Sequence, residues 1–192
     1  VAAGGAFEDL TQAEIRDVME TNFFGVQNVT RAVLPLMRPQ GKGRIICVSS
    51  VSGFYGSPGF GAYNSSKWAL EGFCESLYYE LKFFGIHVTL IEPGAYKTKI
   101  FGENTRYASH FDNDKSPYYS ISMFLKKRVD EGLADNHRDP EDVASVIERA
   151  VDARFPKFRY TTEIEGKILF LLKRLLPFRL FSWIYRRILF KG

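Results

Sequence analysis

Tyr63 and Lys67 stand four residues apart in the stretch "AYNSSKWAL". Four residues is about one turn of an α-helix, so the phenol and the ammonium share a face. A phenol has a pKa of about 10 and is a poor base at neutral pH. A fixed ammonium beside it favours the phenolate and is expected to lower that value, so that the pair could pass a proton near pH 7. Taken alone, a Tyr-x-x-x-Lys pair is equally what a functionless surface pair looks like. The combination carries more weight: Ser50 ends an apolar run 13 residues earlier, and Pro93-Gly94 ends another, with Thr98 four residues beyond Gly94. A hydroxyl, a tunable phenol and a cation suit a carbonyl that gains or loses hydride. Tyr63 would protonate the developing alkoxide while Ser50 hydrogen-bonds the same oxygen.

The elements that must position these groups follow from periodicity. Thr11 with Glu14 forms a capping box that starts a helix, and Ile15, Val18, Val26, Val29, Val33 and Leu36 continue its apolar stripe to about Met37. Asn22 interrupts that stripe. A buried amide needs partners, so it is either a structural residue bonded to nearby backbone, at a kink with Gly25, or part of a site. "RIICVSS" (44–50) and "IHVTLIE" (86–92) are continuous apolar runs, the mark of parallel strands covered on both faces. Between them a second long helix is expected over about 60–84, stopped by Gly85. An irregular stretch over 96–118, helices near 119–132 and after "DPED" (139–142), and a last strand at 158–163 complete the pattern. Such alternation makes an open parallel α/β sheet, which binds ligands at the carboxyl ends of its strands.

Composition narrows the function. A 45% hydrophobic, 25% charged chain of 192 residues makes one globular domain with a real core. The net charge of +4 is too mild to imply nucleic acid. Cys47 and Cys74 have no metal-type spacing, and with only His87, His110 and His137 available no metal site is expected. Two unpaired thiols in core elements suit a reducing, cytoplasmic setting.

Three motifs in order resemble the short-chain dehydrogenase/reductase family: "METNFFG" (19–25), "GRIICVSSVSGFYGSPGFGAYNSSKWALEGF" (43–73) and "LIEPGAYKT" (90–98). The resemblance runs from the N-terminus to about residue 163 and implies a Rossmann-like doubly wound sheet and NAD or NADP as cofactor. It implies Asn22, Ser50, Tyr63 and Lys67 as the catalytic set, with Asn22 holding a water in a relay to Lys67. Tyr63 and Lys67, with Pro93, Gly94 and Thr98, would hold the nicotinamide end. The family's G-x-x-x-G-x-G loop is not found in these 192 residues. The expectation is therefore the C-terminal, catalytic part of the fold, with the first βα units missing, poor dinucleotide binding and little turnover alone.

After residue 163 the chain departs from the family's usual short ending and is similar to the retinol and hydroxysteroid dehydrogenase branch, which implies a large apolar alcohol or its ketone or aldehyde. Residues 164–192 form an apolar, basic helical extension divided by Pro177: from Gly166 it holds Lys167, Lys173, Arg174, Arg179, Arg186, Arg187 and Lys191 and no acid. It suits either a peripheral membrane contact through 166–192 or a helix packed over the substrate pocket. The aromatics Tyr96, Phe101, Tyr107, Phe111, Tyr118, Tyr119 and Phe124 could likewise line a lid for a lipid-like substrate or pack that lid against the body. A homodimer through the two long helices is implied by the resemblance. Two other functions stay open: a sugar-nucleotide epimerase or dehydratase, which shares Tyr-x-x-x-Lys, and an inert lipid-binding module on the same scaffold.

Overall fold

A computed structural model describes residues 1–101 and 104–190, Phe101 by its backbone alone. After a short strand β1 (Ala2–Gly4), the capping box forms as expected: the Thr11 hydroxyl accepts from the Glu14 N–H at 3.3 Å, and the Glu14 carboxylate accepts from the Thr11 N–H at 2.6 Å. The helix it starts is not one uniform run. Helix α1 (Gln12–Met19) passes through a π-helical turn (Glu20–Phe24) into α2 (Gly25–Met37). The extra residue in that turn re-aims Asn22 away from the simple helical stripe, and such π-bulges recur at functional sites.

Strand β2 (Gly43–Val48), helix α3 (Gly61–Leu81) and strand β3 (Ile86–Glu92) form the central unit. β2 and β3 pair in parallel from Gly43 against Ile86 to Val48 against Ile91, and β5 (Arg159–Thr161) adds to the other side of β3. The turn from α3 into β3 needs Gly85: its φ is +67°, and a Cβ there would lie 2.2 Å from the Gly41 carbonyl oxygen.

Helices cover both sheet faces, as the continuous apolar strands require. Val88 and Leu90 pack with Ile45, Cys47, Leu70, Cys74 and Leu77 on the α3 side. Ile91 packs with Val146 and Ala150 of α5 (Pro140–Asp152) on the other. Burying each such aliphatic side chain is worth about 1.5–3 kcal/mol. Asp139 caps α5 as expected, accepting from the Glu141 N–H at 3.0 Å. Both cysteines are free and buried.

The stretch expected to be irregular contains a strand, β4 (Thr105–Tyr107), parallel to β1 in a separate two-stranded sheet. Helix α4 (Tyr119–Ala134) follows. The aromatics before it pack against the body: Tyr107 and Phe111 stand 4.5 Å apart, centroid to centroid, in a cluster with Ala3, Leu10 and Val18. The Phe101 side chain of the expected lid, and Lys191 of the tail, lie outside the described residues. Past β5 the chain ends in two helices, α6 (Ile164–Leu175) and α7 (Phe178–Leu189), divided at Pro177. Among the described residues no helix is long and apolar enough to cross a membrane.

Candidate active site

The parallel pairing of β2 and β3 carries both strand ends to one edge, and backbone bonds tie the loops beyond them. The Ser49 N–H donates to the Ile91 carbonyl at 2.7 Å and the Val51 N–H to the Pro93 carbonyl at 3.0 Å. Ser50 is thereby fixed beside Pro93. Its hydroxyl donates to the Pro93 carbonyl at 3.4 Å and accepts from the Ser52 N–H at 3.2 Å.

Helix α3 lays Tyr63 onto this edge. The phenol is buried, 3% exposed, and is hydrogen-bonded to the Ser50 hydroxyl. The Lys67 ammonium lies 5.7 Å from the centre of the Tyr63 ring and donates to the Val48 carbonyl at 3.0 Å. The expected acidification of the phenol by that ammonium is not what this environment produces. Burial pushes the Tyr63 phenol above its usual range, only partly offset by the Ser50 hydrogen bond. Burial likewise brings the Lys67 ammonium down to about 8, against the pull of the neighbouring Glu71. Both groups are shifted towards their neutral forms, because desolvation outweighs the Ser50 hydrogen bond at one and the pull of Glu71 at the other.

Asn22 lies one layer behind. Its amide donates to the Ser66 hydroxyl at 3.0 Å and to the Val1 carbonyl at 2.8 Å, and its oxygen accepts from the Val1 nitrogen at 2.9 Å. The Ser66 hydroxyl in turn donates to the Tyr63 carbonyl at 2.7 Å. Asn22 therefore ties the π-helical turn to β1 and to the first turns of α3.

Ser50, Tyr63 and Gly94 meet on the wall of a cavity of about 580 Å³, whose apolar wall includes Leu125 and Val129 of α4 and Ile188 and Leu189 of α7. Among the described residues, none of the expected lid aromatics lines it. Thr98 is exposed and outside the lining, its N–H donating to the Tyr96 carbonyl at 2.8 Å. The α7 helix packs beside this cavity: Tyr185 meets Tyr55 edge-on at 5.6 Å.

Two sets of residues escaped the sequence reasoning. Glu163, just before α6, places both carboxylate oxygens on the Gly94 N–H, at 2.9 and 3.1 Å. A Cβ on Gly94 would sit 2.8 Å from that carboxylate. Behind Lys67, Arg159 pairs with Glu71 and donates to Glu92 at 2.6 Å, and Thr161 donates to Glu92 at 2.9 Å. Glu71 is one helical turn beyond Lys67, a signal that was available in the spacing 63–67–71. Its carboxyl is raised to about 7, chiefly by burial and then by Glu92, with the Ser49 hydroxyl and Arg159 opposing. Arg159 and Glu163 left no such signal, since β5 reaches the site only through sheet pairing.

Residues 1–108 match the family model described as short chain dehydrogenase. The chain is 38% identical over 190 residues to the uncharacterized oxidoreductase YusZ of Bacillus subtilis, covering 98% of this chain and 68% of that protein. It is 34% identical over 176 residues to retinol dehydrogenase 8 of Bos taurus, covering 90% and 56%. Among solved structures, a short chain dehydrogenase/reductase from Burkholderia phymatum in complex with NAD superposes with a TM-score of 0.73 at 25% identity, covering 91% of this chain and 61% of that one. The chain thus spans 56–68% of the length of these three proteins. With the family model matched over more than half of its residues, and with the parallel sheet that brings Ser50 and Tyr63 together, the chain belongs to the short-chain dehydrogenase family.

Proposed function

We propose that this chain is the catalytic part of an NAD(P)-dependent oxidoreductase that interconverts a hydrophobic alcohol and its ketone or aldehyde. The observation that carries it is the buried Tyr63 phenol, hydrogen-bonded to Ser50 on the cavity wall with the Lys67 ammonium 5.7 Å from its ring. A carbonyl in the cavity would accept from both hydroxyls. Tyr63 gives its proton to the oxygen as negative charge develops there, or takes the proton back when an alcohol is oxidised. Ser50, held by Pro93, orients that oxygen. When bound, the nicotinamide supplies or accepts the hydride at the substrate carbon.

The donor set fits the nicotinamide ribose. An ammonium has three N–H donors, and the bond to Val48 uses one of them. Tyr63 and Lys67 would hold the ribose, and Pro93 and Gly94 would line the ring. Thr98, exposed here, would need its loop to turn inward to contribute. Asn22 supports the site by anchoring α3 through Ser66, and a water held by it would carry a relay to Lys67.

The apolar side of the cavity wall, Leu125, Val129, Ile188 and Leu189 beside the charged Arg128, Glu131 and Asp135, supports a hydrophobic substrate, and so does the similarity to a retinol dehydrogenase. Partners beyond the substrate would be a second copy through the exposed sides of α2 and α3, where Val29, Leu36, Trp68 and Tyr79 are open, and a membrane surface met by residues 166–192.

The test joins this chain to a dinucleotide-binding segment and compares Tyr63→Phe with the parent on long-chain aldehydes. Loss of turnover with retained cofactor binding is expected. Unchanged turnover would reject this chemistry, and binding of lipid without turnover in either protein would favour an inert module.

A further inference from the structure

The α6–α7 hairpin has two sides of opposite kind. Its inner side closes the cavity: Phe181 is buried, Tyr185 meets Tyr55, and Ile188 and Leu189 form part of the wall. Its outer side stays apolar where solvent should make it polar. On α6, Ile164, Ile168, Leu171 and Leu175 are each more than half exposed, at a spacing that forms a single stripe. On α7, Trp183 and Leu180 are exposed, and the Arg187 guanidinium stacks 4.3 Å from the Trp183 ring. Lys167 and Arg174 flank the α6 stripe, and Arg179, Arg186 and Arg187 surround Trp183 and Leu180, all five exposed. Between Gly166 and Phe190 there is no acidic residue.

We propose that this outer face seats the protein on an anionic bilayer, with the hairpin between lipid and the substrate cavity, so that apolar substrate reaches the cavity from the membrane. The supply route rests on the oxidoreductase reading above; the seating does not. Charge selects this occupant. A second copy of the hairpin would set arginine against arginine, and the exposed carboxylate of α6, Glu165, is already paired with Arg138 at 3.0 Å, whereas anionic headgroups supply the counter-charge over the whole face. The form of the face agrees. A helix lying in the interface buries an apolar stripe among acyl chains and raises its cations to the headgroups, with tryptophan at the boundary. Neither helix can cross, so the contact is peripheral. The hairpin then performs two functions with one amphipathic pair: one side lines the cavity and the other meets the lipid that dissolves the substrate.

The experiment mixes the full 192-residue chain with vesicles of phosphatidylcholine alone or with about one-third phosphatidylserine, and measures co-sedimentation. Binding is expected to the anionic vesicles, falling steeply between low and high salt. The double variant Arg174→Glu with Arg186→Glu is expected to weaken it at least tenfold, since each exposed cation near such a surface contributes several-fold. Leu171→Ser with Leu175→Ser should weaken binding to a similar degree; circular dichroism confirms that both variants remain folded. Acyl-brominated phosphatidylcholine added to the anionic vesicles should quench Trp183 in a Trp68→Phe chain and leave Trp68 unquenched in a Trp183→Phe chain. No salt-sensitive binding, or equal quenching of both indoles, overturns the proposal. So does concentration-dependent dimerisation abolished by Trp183→Ser, which would identify the face as a self-interface. Vesicle binding requires no turnover, so this outcome and the Tyr63→Phe outcome fail independently.

Discussion

Helix α3 buries two polar clusters one turn apart, and they are accommodated by opposite means. At its start, Tyr63 bonds to the Ser50 hydroxyl and Lys67 to the Val48 carbonyl, and burial pushes the phenol up and the ammonium down to about 8. One turn later, Glu71 shares Arg159 with the fully buried Glu92, and Thr161 adds a further hydrogen bond to Glu92. The first cluster borders a cavity, and desolvation moves both its groups towards their neutral forms without a paired counter-charge. The second faces the sheet and sets both carboxylates against Arg159, although burial and Glu92 still raise Glu71 to about 7. A proton-transfer group must be free to change charge, whereas a structural ion pair persists because separating it leaves a bare charge in low dielectric.

Breaking each cluster in turn sharpens this contrast. The largest effect is expected from Tyr63→Phe, which should lower kcat by about 10²–10⁴ while changing stability by no more than about 1 kcal/mol. Steady-state kinetics beside urea unfolding measures both. Arg159→Ala should do the reverse. It leaves the Glu71 and Glu92 carboxylates buried and uncompensated, which should cost about 3–5 kcal/mol of stability, read from the urea midpoint. If the folded Arg159→Ala protein lost turnover as severely as Tyr63→Phe, the two clusters would be one functional unit and the contrast would fail.

A third, smaller effect concerns pH. The Glu71 carboxyl ionises at about 7 in the folded chain and near 4.5 when unfolded, so between these values the folded state binds more protons. Its contribution to stability is full below pH 4.5 and is lost as pH rises through 7. Lys67, down from 10.5 to about 8, works the other way: stability recovers as pH rises from 8 towards 10.5. Glu71→Gln should flatten the acid-side slope between pH 5 and 7, measured as urea midpoints, and leave the Lys67 limb in place. The smallest effect is expected at the cavity edge. Glu163→Gln keeps one acceptor for the Gly94 N–H and should lower stability by no more than about 1 kcal/mol, visible as a small shift in thermal midpoint.

How legible the molecule was in its sequence differed from region to region. The Thr11 box, the two apolar strands, Gly85 and the Asp139 cap depend on neighbours a few residues away, and each forms where its local pattern points. The π-helical turn at Glu20–Phe24 did not show, because an extra residue in a helix leaves the apolar spacing on either side intact. β4 did not show either: three residues without strong alternation become a strand only by pairing with β1. In the site, Tyr63 and Lys67 were readable from helical spacing and Ser50 from the strand end. The sign of the Tyr63 shift was not, because proximity to a cation is visible in spacing whereas desolvation depends on everything packed around the ring.

The amino-acid sequence by itself determined that a phenol and an ammonium lie one helical turn apart and that two buried strands end in serine and in proline-glycine, since these are properties of local geometry. It determined, too, that the last 27 residues combine cations with apolar side chains and no acid. Only the tertiary structure decided which groups meet: parallel pairing of β2 with β3 fastens Ser50 to Pro93, β5 delivers Arg159 to Glu71 and Glu92, and folding back of α7 turns Ile188 into cavity wall. The physical reason is that burial and pairing are fixed by residues distant along the chain, and those set the charge each group can carry.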